Sequence, residues 1–164
     1  MSDRPEPAPR EIRQRGLYYE ELELGVVYRH APGRTLTESD NVLFSTLSMN
    51  PQALHLDAAW SASQPFGRPL INSLFTLATL VGLSVGHLTQ GTTVANLGFN
   101  SVTFPAPLFH GDTLYASTVV QAKRPSNSRP GQGVVTFEHT GRNQEDVVVA
   151  TAVRSALLWF APAE

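Results

Sequence analysis

The sequence predicts an α+β domain, one long helix wrapped by a curved antiparallel sheet. Three observations predict it. Residues 70–88, "LINSLFTLATLVGLSVGHL", can run as one helix of roughly 28 Å at about 1.5 Å per residue. Apolar side chains lie on nearly all its sides, which predicts a helix buried all round. The second half of the chain supplies four β-rich runs separated by Pro, Gly, Asn and Asp. With 164 residues, no internal repeat and no dividing linker, the chain reads as a single domain.

Taken in order, residues 1–16, "MSDRPEPAPREIRQRG", are polar and proline-rich and lack the apolar core of a signal peptide. They are read as a disordered lead-in, and the domain as 17–164. "VVYRHAPGRTL" reads as an opening strand with a Pro-Gly turn. "TESDNVLFSTLS" carries a helix start, with Thr37 as cap and Asp40 three residues on. "DAAWSASQ" has room for two helical turns before "PFGRP" stops it, with Asp57 as its capping acid. After the long helix come "TTVANLGFNSVTF", "DTLYASTVVQAKR", "GVVTFEHTGR" and "DVVVATAVRSALLWF". In the second of these Leu114, Ala116, Thr118 and Val120 alternate with more polar residues, the period of a half-buried strand. The last is apolar on both faces, as expected of an interior strand. A helix cradled in this way is the hotdog architecture.

Composition removes several function classes. The formal net charge is −2 and no basic cluster dominates, which argues against nucleic acid as a partner. There are no cysteines, hence no disulfide framework, thiolate zinc site or cysteine nucleophile. Asn72, Ser73, Thr76, Thr79, Ser84 and His87 interrupt the longest apolar segment, which argues against a membrane span. The chain is read as cytoplasmic. His110 and His139 form no spaced cluster with carboxylates, so no metal site is expected.

The order of motifs resembles the MaoC-like branch of hotdog proteins, the (R)-specific enoyl-CoA hydratases. That family's signature runs Asp-x-Asn-Pro-x-His, then a small residue, then Gly-x-Pro and a His-Gly step at the helix entry. Here "NPQALHLDAAWS" places His55 on its histidine and Ser61 on its small residue, "FGRPLINSL" matches the helix entry, and "FPAPLFHGDTL" a later stretch. Three departures stand out: Asn50 is read at the catalytic aspartate's position, Asn72-Ser73 replace His-Gly, and Val81 replaces a polar helix residue. "LHLD", "RPLINSLFTL" and "FEHTGRNQ" resemble the subset acting on branched or dicarboxylic short acyl-CoAs, such as mesaconyl-CoA hydratases.

The resemblance implies a hydro-lyase acting on a 2-enoyl-CoA or 3-hydroxyacyl-CoA thioester. Coenzyme A enters as part of the substrate, with no separate cofactor. His55 would be the base, the backbone N–H of Ser73 the donor to the thioester oxygen, and Asn50 a group orienting water. Asn72 and Val81 would touch substrate. Lys123, Arg124 and Arg129, in the loop "AKRPSNSRPGQG", suit the coenzyme's phosphates, though the same loop reads equally as a polar hairpin. Arg68 and Arg154 are the candidates for a deep cation. Two other readings stay open: a hotdog thioesterase, and a silent acyl-CoA-binding module scarred at Asn50. Exposed sheet edges predict a homodimer or higher homo-oligomer, with coenzyme A near the interface.

Overall fold

In the computed structural model, which describes residues 9–163, a capping box opens the first helix. The Thr37 side chain accepts from the Asp40 backbone, and Asp40 accepts in return from the Thr37 backbone. The elements run β1 (Val27–Thr35), α1 (Glu38–Leu47), α2 (Ala53–Leu56), α3 (Ala58–Ala62), α4 (Ser73–Leu88), β2 (Thr93–Thr103), β3 (Thr113–Pro125), β4 (Gln132–Arg142) and β5 (Val148–Trp159). Asp57 caps α3 by accepting from Trp60 N at 2.8 Å. The strands form one antiparallel sheet in the order β1-β3-β4-β5-β2, with α4 packed across its inner face.

Three local expectations are corrected. Helix α4 begins at Ser73, not Leu70: Leu70 bridges Phe109 as extended chain, and Ile71 N donates to Leu108 O at 2.8 Å. Asn72 then stops extension and starts the helix, its Oδ1 accepting from Leu74 N at 3.0 Å. The helix is not buried all round, because Leu74, Ala78, Gly82 and Gly86 form an exposed stripe at four-residue spacing. The curved sheet covers one side of α4 and leaves this one bare.

The third correction concerns Pro32-Gly33, which makes no turn. It lies inside β1, where the register to β3 slips between His30 and Arg34. An edge strand tolerates a proline without an N–H, and a bulge absorbs the extra residues. Gly33 is needed there: a Cβ would stand 2.7 Å from the Tyr115 ring.

Of the lead-in, residues 1–8 lie outside the described residues. Arg15 and Gly16 belong to the folded body. Gly16 N donates to Gln90 O at 2.7 Å, Leu17 N to Leu88 O at 2.9 Å, and a Cβ on Gly16 would stand 2.5 Å from Thr89 N. The segment after Gly16 closes the far end of α4, packing Leu17, Tyr19 and Leu22 with Leu88, Val120, Phe137 and Leu158. A second apolar cluster, with Ile71, Leu80, Leu108, Leu114, Ala150 and Ala152, packs nearer the start of α4.

A polar rung crosses four strands between these clusters. Arg154 Nε donates to His139 Nε2 at 2.9 Å, His139 Nδ1 lies 2.7 Å from Thr118 Oγ1, and that oxygen lies 2.8 Å from His30 Nε2. The arginine has no proton acceptor, so its donation fixes the direction of the rung as far as Thr118. His139 Nδ1–H donates to Thr118 Oγ1, and the Thr118–His30 contact can run in either direction. His139 is therefore neutral. Burial pushes the His139 pKa down to about 3 and that of His30 to about 4.

Candidate active site

Asn41, in the middle of α1 and fully buried, organises the region where the motifs meet. Its Oδ1 accepts from Asn72 N at 2.7 Å, which settles the orientation of the amide, since a backbone N–H can meet only the oxygen. Its Nδ2 then donates toward Leu70 O at 3.1 Å, His110 Nε2 at 3.2 Å and His55 O at 3.3 Å. One amide therefore fixes α1, the end of α2, the entry to α4 and the Phe109–Asp112 turn. Beside it Asn72 Nδ2 donates to Ser45 Oγ at 3.2 Å.

His55 sits in the single turn of α2, and only 9% of its surface is exposed. Its Nδ1 lies 3.0 Å from Leu70 O. A carbonyl oxygen can only accept, so Nδ1 carries a proton, and in the neutral imidazole the lone pair lies on Nε2. No residue among those described hydrogen-bonds Nε2. The ring is thus oriented by the residue three positions before Ser73.

Ser73 is the first residue of α4, so its N–H has no acceptor within the helix. It lines a groove of about 260 Å³ together with Phe66, Leu70, Thr76, Pro107 and Val149. The positive end of the helix dipole adds to the potential there. The structure therefore brings His55, Asn72 and Ser73 together through Leu70 and Asn41. The Ser73 end of the groove can bind an oxygen that develops negative charge, and His55 stands behind Leu70, which lines it.

The other predicted residues fall elsewhere. Asn50 Oδ1 accepts from Gln52 N at 3.2 Å, closing a turn, and makes no bond to His55. It lines a separate hollow of about 360 Å³ with Ser45, Met49 and Leu56. Counted back from His55, the motif's aspartate falls on Asn50; counted from the Asn50-Pro51 step, it falls on Ser48, whose Oγ donates to Ser45 O at 3.2 Å. Neither position holds an acid. Val81 is half-buried on α4, about 12 Å along the helix from Ser73.

Lys123 is corrected as a phosphate ligand. Its Nζ donates to Tyr19 O at 2.8 Å, Leu22 O at 2.7 Å and Glu20 O at 3.4 Å, so its three protons tie down the N-terminal segment. Arg124 and Arg129 are exposed and line a hollow of about 310 Å³ with Ser126 and Ser128. That hollow includes Leu157, eight residues from Val149 of the groove, a span of about 26 Å along β5. In one chain the two lie at opposite ends of the sheet. Arg68 is not deep: it is exposed, 3.7 Å over the Phe109 ring, beside Phe66 of the groove. Arg154 is the deep cation.

Sequence reasoning missed Asn41 and Thr118. An asparagine inside a helix and a threonine inside a strand give no local signal of their bonds, which only the tertiary fold creates. No helix among the described residues is long and apolar enough to cross a membrane.

A family model for the MaoC like domain matches residues 21–143. β-Methylmalyl-CoA dehydratase of Chloroflexus aurantiacus is 32% identical over 85% of this chain and 39% of its own length. Mesaconyl-CoA hydratase of Haloarcula marismortui is 30% identical over 82% of this chain and 37% of its own. The chain thus spans about two fifths of the length of these curated relatives. Among solved structures, a MaoC-like dehydratase from Rhodospirillum rubrum superposes with a TM-score of 0.80 at 27% identity, over 90% of this chain and 100% of that one. A Mycobacterium tuberculosis protein with a double hotdog fold does so with a TM-score of 0.81 at 28% identity, over 93% of this chain and 47% of that one. The sheet order and the helix it wraps are those of the hotdog fold, and the chain belongs to the MaoC-like domain family.

Proposed function

We propose that the protein is a hydro-lyase that adds water to a 2-enoyl-CoA, or removes it from a 3-hydroxyacyl-CoA. The observation that carries this reading is His55, whose Nδ1–H is held by Leu70 O, so that the neutral imidazole offers Nε2 as the base, with the open helix N-terminus three residues on at Ser73. In hydration, Nε2 takes a proton as the water oxygen attacks the β-carbon, and the Ser73 N–H receives the charge that moves to the thioester oxygen. The same proton returns from Nε2–H to the α-carbon, so one water is consumed and nothing is oxidised. The reaction needs no cofactor beyond the coenzyme A of the substrate. Asn50, which closes a turn with Gln52 N and lines a separate hollow, takes no part in this step.

The names of the relatives support a branched or dicarboxylic short acyl group. The reading takes the protein as cytoplasmic. A homodimer through β2 completes the site. This strand ends the sheet and exposes Leu97 and Phe99. Pairing β2 with a second β2 antiparallel about its middle sets the Thr93 end of one copy beside the Thr103 end of the other. The Arg124 and Arg129 hollow of one copy then adjoins the Ser73 groove of the other, where phosphates of a bound thioester need cations.

The test is hydration of crotonyl-CoA and mesaconyl-CoA by wild type and His55→Ala, followed by loss of the enoyl-thioester absorbance. His55-dependent turnover is expected. Turnover that survives His55→Ala sinks the one-base mechanism, and no turnover by wild type sinks the lyase reading.

A further inference from the structure

His30 is a buried imidazole with one ring nitrogen unused. It is 6% exposed, its Nε2 lies 2.8 Å from Thr118 Oγ1, and its Nδ1 meets no partner among the described residues. A buried polar atom left unpaired costs about 1–3 kcal/mol, which calls for a partner from outside the chain. The ring lines a hollow of about 540 Å³ between β1, the last turns of α4 and the segment before Leu17. Arg15, Arg29, Gly86 and His87 line it too. A Cβ on Gly86 would meet nothing within 4 Å, so packing inside the chain does not require this glycine. In a helix it costs about 1 kcal/mol against alanine, and its bare backbone widens the hollow.

The lining selects the charge of that partner. No carboxylate among the described residues lines the hollow. The ion pairs among those residues belong to Arg13, Arg15, Arg34 and Arg142, which leaves Arg29 without one. The His87 ring stands edge-on to His30, with centroids 5.4 Å apart. Two imidazoles at this spacing would also suit a metal ion, but the guanidinium groups in the same lining repel a cation. The polar rung points the same way. Arg154 is 4% exposed and also lacks an ion pair; it donates to His139, and His139 to Thr118. An anion at His30 Nδ1–H makes Nε2 the acceptor of the Thr118 hydroxyl. Every link then donates away from the buried guanidinium toward the anion, and bonds chained in one sense polarise one another.

We infer that this hollow binds a phosphate-class oxyanion through Arg29, His87 and the Nδ1–H of His30. His87 lies about 21 Å along α4 from Ser73, so the site is separate from the groove and independent of the hydro-lyase reading. The phosphate is either free in solution or carried by coenzyme A, and titration tells the two apart.

The experiment follows the imidazole nitrogen signals of the full chain by NMR at pH 7, during titration with potassium phosphate and, at matched ionic strength, with potassium chloride. Saturable shifts of the His30 and His87 signals are expected with phosphate and not with chloride. Arg29→Met is expected to weaken phosphate binding at least about tenfold, the scale of one charge-assisted hydrogen bond, and Arg29→Lys to retain part of it. Arg29 is exposed on an edge strand, so neither variant disturbs the core. Coenzyme A that shifts the same signals and displaces phosphate identifies the coenzyme as the source. Coenzyme A that leaves them unchanged identifies a free anion. The absence of a saturable shift, an equal shift with chloride, or undiminished affinity in Arg29→Met overturns the inference.

Discussion

Arg154 donates through Nε to His139 Nε2 at 2.9 Å, a contact that exists only while the imidazole is neutral. Protonating His139 would set two cations against each other inside the core.

This relationship fixes the acid sensitivity of the fold. His139 and His30 have folded pKa values of about 3 and about 4, below the ordinary 6.5. Between those values and 6.5 the unfolded chain binds more protons than the folded one, so stability is complete above 6.5 and is lost as pH falls. Each histidine contributes a slope of up to about 1.4 kcal/mol per pH unit in its window. Urea unfolding from pH 7.5 to 5 should show the loss, and His139→Gln, which accepts and donates without titrating, should flatten it. A slope unchanged in His139→Gln would refute the assignment.

Asn41 is expected to matter to stability and site alike. Asn41→Ala leaves the buried Asn72 N–H without an acceptor and Leu70 O without one of its donors. Stranded buried groups of this kind cost about 2–4 kcal/mol together. Denaturant midpoints measure it. A change below about 0.5 kcal/mol, the usual surface effect, would show that the amide does not hold the helix entry.

His55→Ala should lower kcat by about 10²- to 10⁴-fold, the range of a lost general base. Binding of a saturated acyl-CoA should survive, because the groove is lined by other residues. A rise in KM with kcat retained would assign His55 to binding instead.

Lys123 separates structure from ligand binding. Lys123→Met removes three bonds to the backbone of Tyr19, Glu20 and Leu22, and a loss of about 2 kcal/mol is expected for such charged hydrogen bonds. The KM for acyl-CoA should stay within about twofold, a free-energy change under about 0.5 kcal/mol. A large KM effect with stability intact would return Lys123 to the phosphate site.

Legibility in the sequence followed the range of each interaction. The capping box at Thr37 and Asp40, the Asp57 cap and the alternation of β3 are local, and all are found where the sequence put them. Pro32-Gly33 was misread because a bulge needs a partner strand to exist, and that strand, β3, comes about 80 residues later. The bare stripe of α4 was hidden for a related reason: composition shows that a helix is apolar but not which side the sheet reaches. At the site, His55 and the start of α4 were visible through the ordered motifs, whereas Asn41 was not, since its partners lie on three separate segments. Lys123 shared a loop and a charge with Arg124 and Arg129, and only the fold distinguishes an internal clamp from an exposed pair.

The last prediction tests whether the site is shared between two copies. His55→Ala disables the base but leaves the Arg124 and Arg129 loop intact. Arg124→Ala with Arg129→Ala does the reverse. If each groove is completed by the partner's loop, neither variant alone turns over well, yet one of the two sites in a mixed dimer combines a working His55 with a working loop. Half of randomly assorted dimers are mixed, so co-refolding equal amounts should restore about a quarter of wild-type activity. Charging the exposed β2 residues, as in Leu97→Lys with Phe99→Lys, should abolish both the dimer in sedimentation and this recovery. Activity that never exceeds the sum of the separate variants would mean that each chain works alone, and that the loop about 26 Å along β5 from the groove serves something else.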